Sequence, residues 1–584
     1  MDALAPPAIG RALVSALGRS PAKLALIVSS VALALFSVIS VADIATTERL
    51  FLGTTYYLLM ATLLCWVGTY LHVAGAVRPR DLGAWLKESW PGLLVALVVT
   101  VIAGFAIEPA LRMLSDEANL AGTAKNLFAS KAPTFTVSGK YYYESFWDVD
   151  VAIDRRPTLF PFLVSLVHAL AGYSYRNVFA FNLAVLPAFL WVSYRLAKSL
   201  AGETFAVVAS ILVAAHPATL LAVRSGGFDF FATFFALLVV KSLHDYTREQ
   251  TPGNLAILWL NLCLFAEIRY ESALFIAPVV ALLLVFGMVR ISTLRPYAFV
   301  YAATPIYLLP RIWQGLLRGN VPEQEAGAVT FSLDNFINNL REYFAPVLSP
   351  TQSFPAHSGL LIALGLVGCG LWLRWIWRRL RAQRDWRAPD LRFPLSCAAW
   401  MVVQAVISFT YVWGRAQYPS SARLVIAFDT FFSFAAAWAI TLAFKRSRPF
   451  IPVLLAAALL TFQVPVASQH RMLNRLTQTR ESAALWRFFE GRTEKRILIV
   501  TDRPNHFTIL DYGAMSFDSA RRDPHLLTAF ARHLMQDIYV IQRLKLSTNE
   551  PLPGYEIWPN RKLDPVLEFQ NDADVLVRVS RLSR

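Results

Sequence analysis

Apolar residues run along this chain in long blocks, cut by short polar stretches. The blocks at 24–42, 51–76, 90–107, 176–197, 203–222, 228–246, 358–380, 394–413, 423–444 and 449–467 each approach the length of a bilayer-crossing helix. Such a helix needs roughly 17–25 residues. Three more blocks, 255–267, 272–289 and 297–313, are less clean, so the pattern predicts about thirteen spans. Thr158–Ala171 is too short to cross and reads as an interfacial helix. FSLDNFINNLREYF, within 314–357, carries the amphipathic period of a helix lying on a membrane surface.

Lys and Arg give these spans a direction. They gather at Arg11, Arg19 and Lys23, at Arg78, Arg80 and Lys87, at Arg195 and Lys198, at Arg248, and at Arg290 and Arg295. The densest group runs from Arg374 to Arg392, and Lys445, Arg446 and Arg448 close the series. With a cytoplasmic N-terminus all of them fall on the cytoplasmic side, as the positive-inside rule requires. The loops 108–175 and 314–357 and the tail 470–584 are then extracytoplasmic. Within the tail, ILIVTD (497–502), DIYVIQRL (537–544), VLEFQ and DVLVRVS read as strands, and DPHLLTAFARHLMQ (523–536) as a helix. The fold class expected is mainly α: a polytopic transmembrane bundle with outer-face interfacial helices and a small C-terminal α/β domain. It divides into 1–89 (two N-terminal helices), 90–469 (the membrane core) and 470–584 (the tail domain).

Composition agrees with this picture. Of 584 residues 56% are hydrophobic and 16% charged, against about 25% charged in soluble domains. That excludes a mainly soluble enzyme and a disordered chain. The net charge of +16 would suggest nucleic acid in a soluble protein, but here it is the cytoplasmic loop charge, and no nucleic-acid partner is expected. Cys65, Cys263, Cys369 and Cys397 lie in or beside apolar blocks without metal-ligand spacing, so no disulfide framework is expected. Leu24–Ala42 has no closing cleavage pattern and should remain as a span.

Chemistry is carried by ionisable residues at the edges of apolar blocks. Asp116 and Glu117 are adjacent in the first outer loop, where they also suit the first turn of a helix. Arg155 and Arg156 precede Pro157 and the interfacial helix, and guanidinium forks fit phosphate oxygens. Asp229 opens a span after Gly226 and Gly227. Glu267, Arg269 and Glu271 interrupt an apolar stretch, and such groups pair with each other or face a cavity. Arg415 and Arg423 flank an outer turn and suit lipid headgroups. His168, His216 and His357 stand singly and read as packing or capping residues. No phosphate-binding glycine loop or Gly-x-Ser-x-Gly elbow occurs.

The order of these features resembles the GT-C superfamily of membrane glycosyltransferases, in particular the protein-mannosyltransferase and aminoarabinose-transferase-like branch. The features are the Asp-Glu pair, RRPTLFPFLVSLVHALAG, GGFDFFATFF and FAEIRYESALFIAP. The resemblance is best over 110–290 and weaker over 296–445. It implies sugar transfer, with inversion, from a polyprenyl-phosphate donor to the hydroxyl of an extracytoplasmic glycan, lipid or protein. It implies Asp116 as the catalytic acid residue with Glu117 beside it, Arg156 and Arg269 on the donor phosphate with Arg155 next to them, and Asp229 and Glu271 positioning substrate. No cofactor is required, although a divalent metal could sit at Asp116 and Glu117. Two spans precede the family core, and Thr158 stands where many relatives have a second proline. The competing reading is a transporter or flippase, which would hold its charges at the bilayer midplane between repeats. The implied location is a bacterial plasma or inner membrane.

Overall fold

The computed structural model describes residues 43–583, except 76–78, 113, 143–144, 155, 318–329, 349–356, 384, 417–420, 447, 469–476, 491, 493, 495 and 524. The expected span at 24–42 and Arg155 lie outside the described residues. The chain opens with α1 (Ile44–Ala74) and α2 (Pro79–Ala106). Asp43 starts α1 by accepting the backbone N–H groups of Ala45 and Thr46 at 3.2 Å, so the helix begins ahead of its apolar block. Next come α3 (Leu114–Ala129), a hairpin of β1 (Thr134–Tyr142) and β2 (Ser145–Ile153), and α4 (Leu159–Ala171). Then follow α5 (Asn177–Ala201), α6 (Glu203–Val213), α7 (Pro217–Val223), α8 (Asp229–Arg248) and α9 (Pro252–Ala266). The second half holds α10 (Ile276–Val285), α11 (Thr304–Leu317), α12 (Leu333–Leu348), α13 (Gly359–Gln383), α14 (Pro389–Thr410), α15 (Ile426–Ala443) and α16 (Phe450–Ser468). The tail contributes α17 (Thr477–Glu490), β3 (Ile497–Val500), β4 (Gly513–Met515), β5 (Asp537–Lys545), β6 (Leu563–Asp572) and β7 (Val575–Leu582).

Among the described residues seven helices are long and apolar enough to cross a membrane: Ile44–Val73, Leu86–Ala106, Asn177–Ala201, Gly359–Gln383, Pro389–Thr410, Ala422–Ala443 and Phe450–Ser468. The protein is an integral membrane protein. Its other apolar blocks depart from the simple expectation of thirteen spans. The block 203–222 bends by 72° between α6 and α7, giving an eighth span if the pair counts as one. Pro217 causes this, because the residue before a proline is pushed from the helical region; His216 is extended at φ −81° and ψ 127°. The blocks 255–267 and 272–289 form short helices on either side of a break at Glu267–Tyr270. The block 297–313 is broken before α11. α8 is 20 residues long and largely buried, but it carries Asp229, Lys241, Asp245 and Arg248.

The loop 108–157 holds α3, the helix expected at Asp116 and Glu117, and a hairpin that no sequence pattern announced. That hairpin joins the tail in one seven-stranded sheet of order β2-β1-β4-β3-β5-β7-β6. β3 runs parallel to β4 and β5, and the other pairs are antiparallel. Gly139 of β1 faces Ala514 of β4, which is the link between loop and tail. The tail also grips α3 directly: Lys125 meets Asp511 at 2.7 Å, and Asn505 donates to Asn119 at 2.6 Å. The segment expected as a helix over 523–536 is helical only at Leu526–Ala531. Instead Asp523 caps the turn, accepting the His525 N–H at 3.0 Å, and pairs with Lys140 of β1.

Candidate active site

Five elements meet where the first loop returns to the membrane helices. α3 brings Asp116 and Glu117 in its first turn, where acids favour the helix dipole. The strand end before α4 brings Asp154 and Arg156. α8 begins with Asp229. The break after α9 brings Arg269 and Glu271, and the 3-10 turn ahead of α15 brings Arg423.

Their side chains form a continuous ladder of alternating sign. Asp154 Oδ1 accepts Arg156 Nη1 at 3.0 Å, and Arg156 Nη2 pairs with Asp116 Oδ1. Asp116 Oδ2 then meets Arg423 Nη2 at 2.6 Å. Arg423 Nη1 reaches Asp229 Oδ2 at 3.0 Å, and Arg269 Nη1 pairs with Asp229 Oδ1. Arg269 Nε closes the run on Glu271 Oε1 at 2.5 Å. Four carboxylates thus alternate with three guanidiniums. Asp154 is fully buried and held from behind, because Thr123 donates to its Oδ2 at 3.1 Å. Gln314 of α11 donates to the backbone carbonyls of Asp154 and Arg156, fixing the turn that aims Arg156.

Burial pushes the Asp116 carboxyl up, but Arg423 and Arg156 outweigh it and hold it at about 2. Asp116 is therefore ionised throughout the neutral range. Its neighbour Glu117 differs although only one residue away. Glu117 is buried, and its Oε2 accepts the backbone N–H of Arg112 at 3.0 Å and of Gly226 at 2.8 Å. It ties the loop before α3 to the loop before α8. Gly226 suits that close contact: a Cβ there would lie 3.0 Å from Leu111 and 3.2 Å from Glu117 Oε2, so both side chains would have to give way slightly. Asn182 completes the clamp by donating to the carbonyls of Ser225 at 2.9 Å and Gly227 at 2.8 Å. Asp116 and Glu117 do not fit a shared metal, since one gives its oxygens to guanidiniums and the other to backbone N–H groups.

Burial raises the Glu117 carboxyl to about 7 against those two backbone donors. Its folded-state pKa thus lies above the ordinary 4.5. Stability from this group is complete below pH 4.5 and is lost as pH rises through about 7. The shift is worth about 3 kcal/mol. Thermal unfolding of purified protein between pH 4.5 and 8 should fall across that window, and Glu117→Gln should flatten the fall. Equal slopes in both proteins would remove this assignment.

The structure brings Asp116, Arg156, Asp229, Arg269 and Glu271 together. It sets Glu117 behind them. Two members of the ladder were not singled out as site residues from the sequence. Asp154 is followed at once by the arginine pair. Arg423 opens the apolar block of α15 as Asp229 opens that of α8, and that parallel was the available signal. Arg415, its companion in the sequence, is exposed.

An apolar cavity of about 280 Å³ lies among the membrane helices, its lining beginning one helical turn from Asp229 and Arg423. α8 and α15 carry Asp229 and Arg423 at their heads, and both helices continue into its wall. Thr233 and Ala427 line the cavity one turn on, followed by Ala236, Val240, Phe434 and Trp438.

Residues 155–313 match the family described as dolichyl-phosphate-mannose-protein mannosyltransferase. The fold is similar to ArnT from Cupriavidus metallidurans in the apo state, at a TM-score of 0.52 and 14% identity, covering 85% of this chain and 98% of that one. The same ArnT bound to undecaprenyl phosphate gives 0.49 and 14%, covering 86% and 98%. No curated protein is similar enough in sequence to match. The match and the shared fold bear out the resemblance to GT-C membrane glycosyltransferases drawn from the sequence.

Proposed function

We propose that this protein transfers a sugar from a polyprenyl-phosphate donor to a hydroxyl of an extracytoplasmic acceptor, with inversion at the anomeric carbon. The observation that carries this reading is the charged ladder standing at the head of an apolar cavity, on the same two helices. A phosphate at the ladder would leave its isoprenoid chain in the cavity. ArnT, which has this fold, is known bound to undecaprenyl phosphate, and a lipid of that class suits such a cavity.

The chemistry needs few groups. The acceptor oxygen attacks the anomeric carbon, its proton passes to Asp116, and the bond from that carbon to the phosphate oxygen breaks. The phosphate leaves with the bonding electrons. Its second pKa is about 6, so it departs without a proton. Arg156, Arg269 and Arg423 stabilise the charge that develops on it. Each guanidinium already bridges carboxylates, so an arriving phosphate competes for the same N–H donors. Drawing Arg156 or Arg423 toward phosphate weakens its hold on Asp116, whose pKa rises from about 2. Donor binding thereby makes Asp116 a better base. Asp154 and Glu271 hold the outer arginines throughout. Metal chemistry has no part in these steps. The loop charges set the ladder and the tail on the outer face of the membrane.

Two variants test the donor site in purified protein. Arg156→Ala should weaken polyprenyl-phosphate binding by roughly tenfold to a hundredfold, the worth of charged hydrogen bonds. Ala236→Trp fills the cavity and should raise the KM of a long-chain donor while sparing one with a short prenyl chain. Unchanged affinity in the first, or equal effects on both donors in the second, would count against the reading.

A further inference from the structure

A second ionisable cluster lies apart from the ladder, on the helix that Arg423 heads. Asp429 stands less than two turns beyond Arg423 and is fully buried. His216 reaches it from the bend between α6 and α7. His357 comes from just ahead of α13, and Tyr343 from α12. Asp429 Oδ2 lies 2.8 Å from His357 Nδ1, and Oδ1 lies 3.6 Å from His216 Nδ1. The Tyr343 hydroxyl donates to Oδ1 at 3.0 Å. One ligand atom from each of His216, His357 and Asp429 falls within 4.8 Å of the others. Each imidazole also keeps a buried Nε2 without a hydrogen-bond partner.

A carboxylate packed among apolar helices is costly unless a cation meets it. Tyr343 and His357 hydrogen-bond Asp429 at 3.0 and 2.8 Å. His216 Nδ1 and Asp429 Oδ1 stand 3.6 Å apart, beyond hydrogen-bond reach and close to the spacing of two ligand atoms on one metal ion.

We infer that His216, His357 and Asp429 bind a divalent transition-metal ion of the zinc type. Bonds of about 2.0–2.2 Å in tetrahedral array place ligand atoms about 3.3–3.6 Å apart. The His216 pair already has that spacing, and the His357 pair must open by about 0.5 Å. Two imidazoles and one carboxylate suit zinc better than magnesium or calcium, which favour oxygen shells. Tyr343 orients the carboxylate from outside the shell. The ion clamps the α6–α7 bend, the head of α13 and the surface helix α12 onto α15. It therefore fixes the helix that presents Arg423, and it takes no part in sugar transfer.

The test uses full-length protein in detergent with its affinity tag removed. After incubation with zinc sulfate and gel filtration, the wild type should keep about one zinc per chain by elemental mass spectrometry. His216→Gln and His357→Gln should each lose most of it. Cobalt(II) in place of zinc should give the visible absorption of a tetrahedral site in the wild type, and zinc should abolish that band. The cobalt measurement decides the matter even where a variant fails to fold. A wild type that retains no zinc and shows no cobalt band would overturn the proposal, leaving a hydrogen-bonded triad that holds a proton. Full zinc retention in both variants would overturn it equally.

Discussion

Asp116→Asn should lower the turnover of sugar transfer by about 10²–10⁴-fold, the usual contribution of a general base, without weakening donor binding. The reason lies in the ladder. Asp116 occupies donors of both Arg156 and Arg423, so it competes with a phosphate for them. Neutralising it removes the base and the competitor together. Polyprenyl-phosphate affinity should therefore hold or rise while kcat collapses, a split unlike that expected of Arg156→Ala. Fold should survive, because each arginine keeps a second carboxylate, Asp154 for Arg156 and Asp229 for Arg423. A synthetic polyprenyl-phosphate sugar and an equilibrium lipid-binding assay measure both quantities. Turnover at the wild-type rate in a folded variant would end the assignment.

Arg423→Met should have the largest effect on stability. Arg423 joins Asp116 to Asp229, and Asp229 is 3% exposed. Removing one partner of a buried pair costs about 3–5 kcal/mol, because the remaining charge is left unmatched. Here two carboxylates lose their shared cation, and donor affinity should fall with stability. Arg415→Met is the control. That side chain is exposed, and a change there should stay within about 0.5 kcal/mol. If the two variants unfold at similar temperatures, the bridge contributes nothing to the fold.

Features of this protein that depend on neighbouring residues were legible in the sequence. The apolar blocks marked it as a membrane protein, since bilayer length and apolar character are local properties. The helix under Asp116, the helix after Pro157, the break around Arg269 and the main tail strands follow from short patterns. What depends on distant contacts was not legible. The bend at His216 was hidden in an apolar block, and only Pro217 hinted at it. The hairpin 134–153 pairs with β4 through Gly139 and Ala514, and nothing near either residue announces the other. Glu117 and Asp116 look equivalent as neighbours, yet successive helical positions point in different directions. One meets guanidiniums and the other backbone N–H groups. Arg423 lies far along the chain from the acids it joins.

The shared sheet bears on how the protein is made. β1 leaves the translation machinery early, whereas its partner β4 follows only after most of the membrane helices. Until then the hairpin presents an unpaired edge, a template for wrong pairing. The helix carrying Asp116 likewise waits for the late strands and loops that brace it. Completion of the charged ladder's surroundings is thus a closing event of biogenesis. A nascent chain stalled before residue 513 would be inserted but inert.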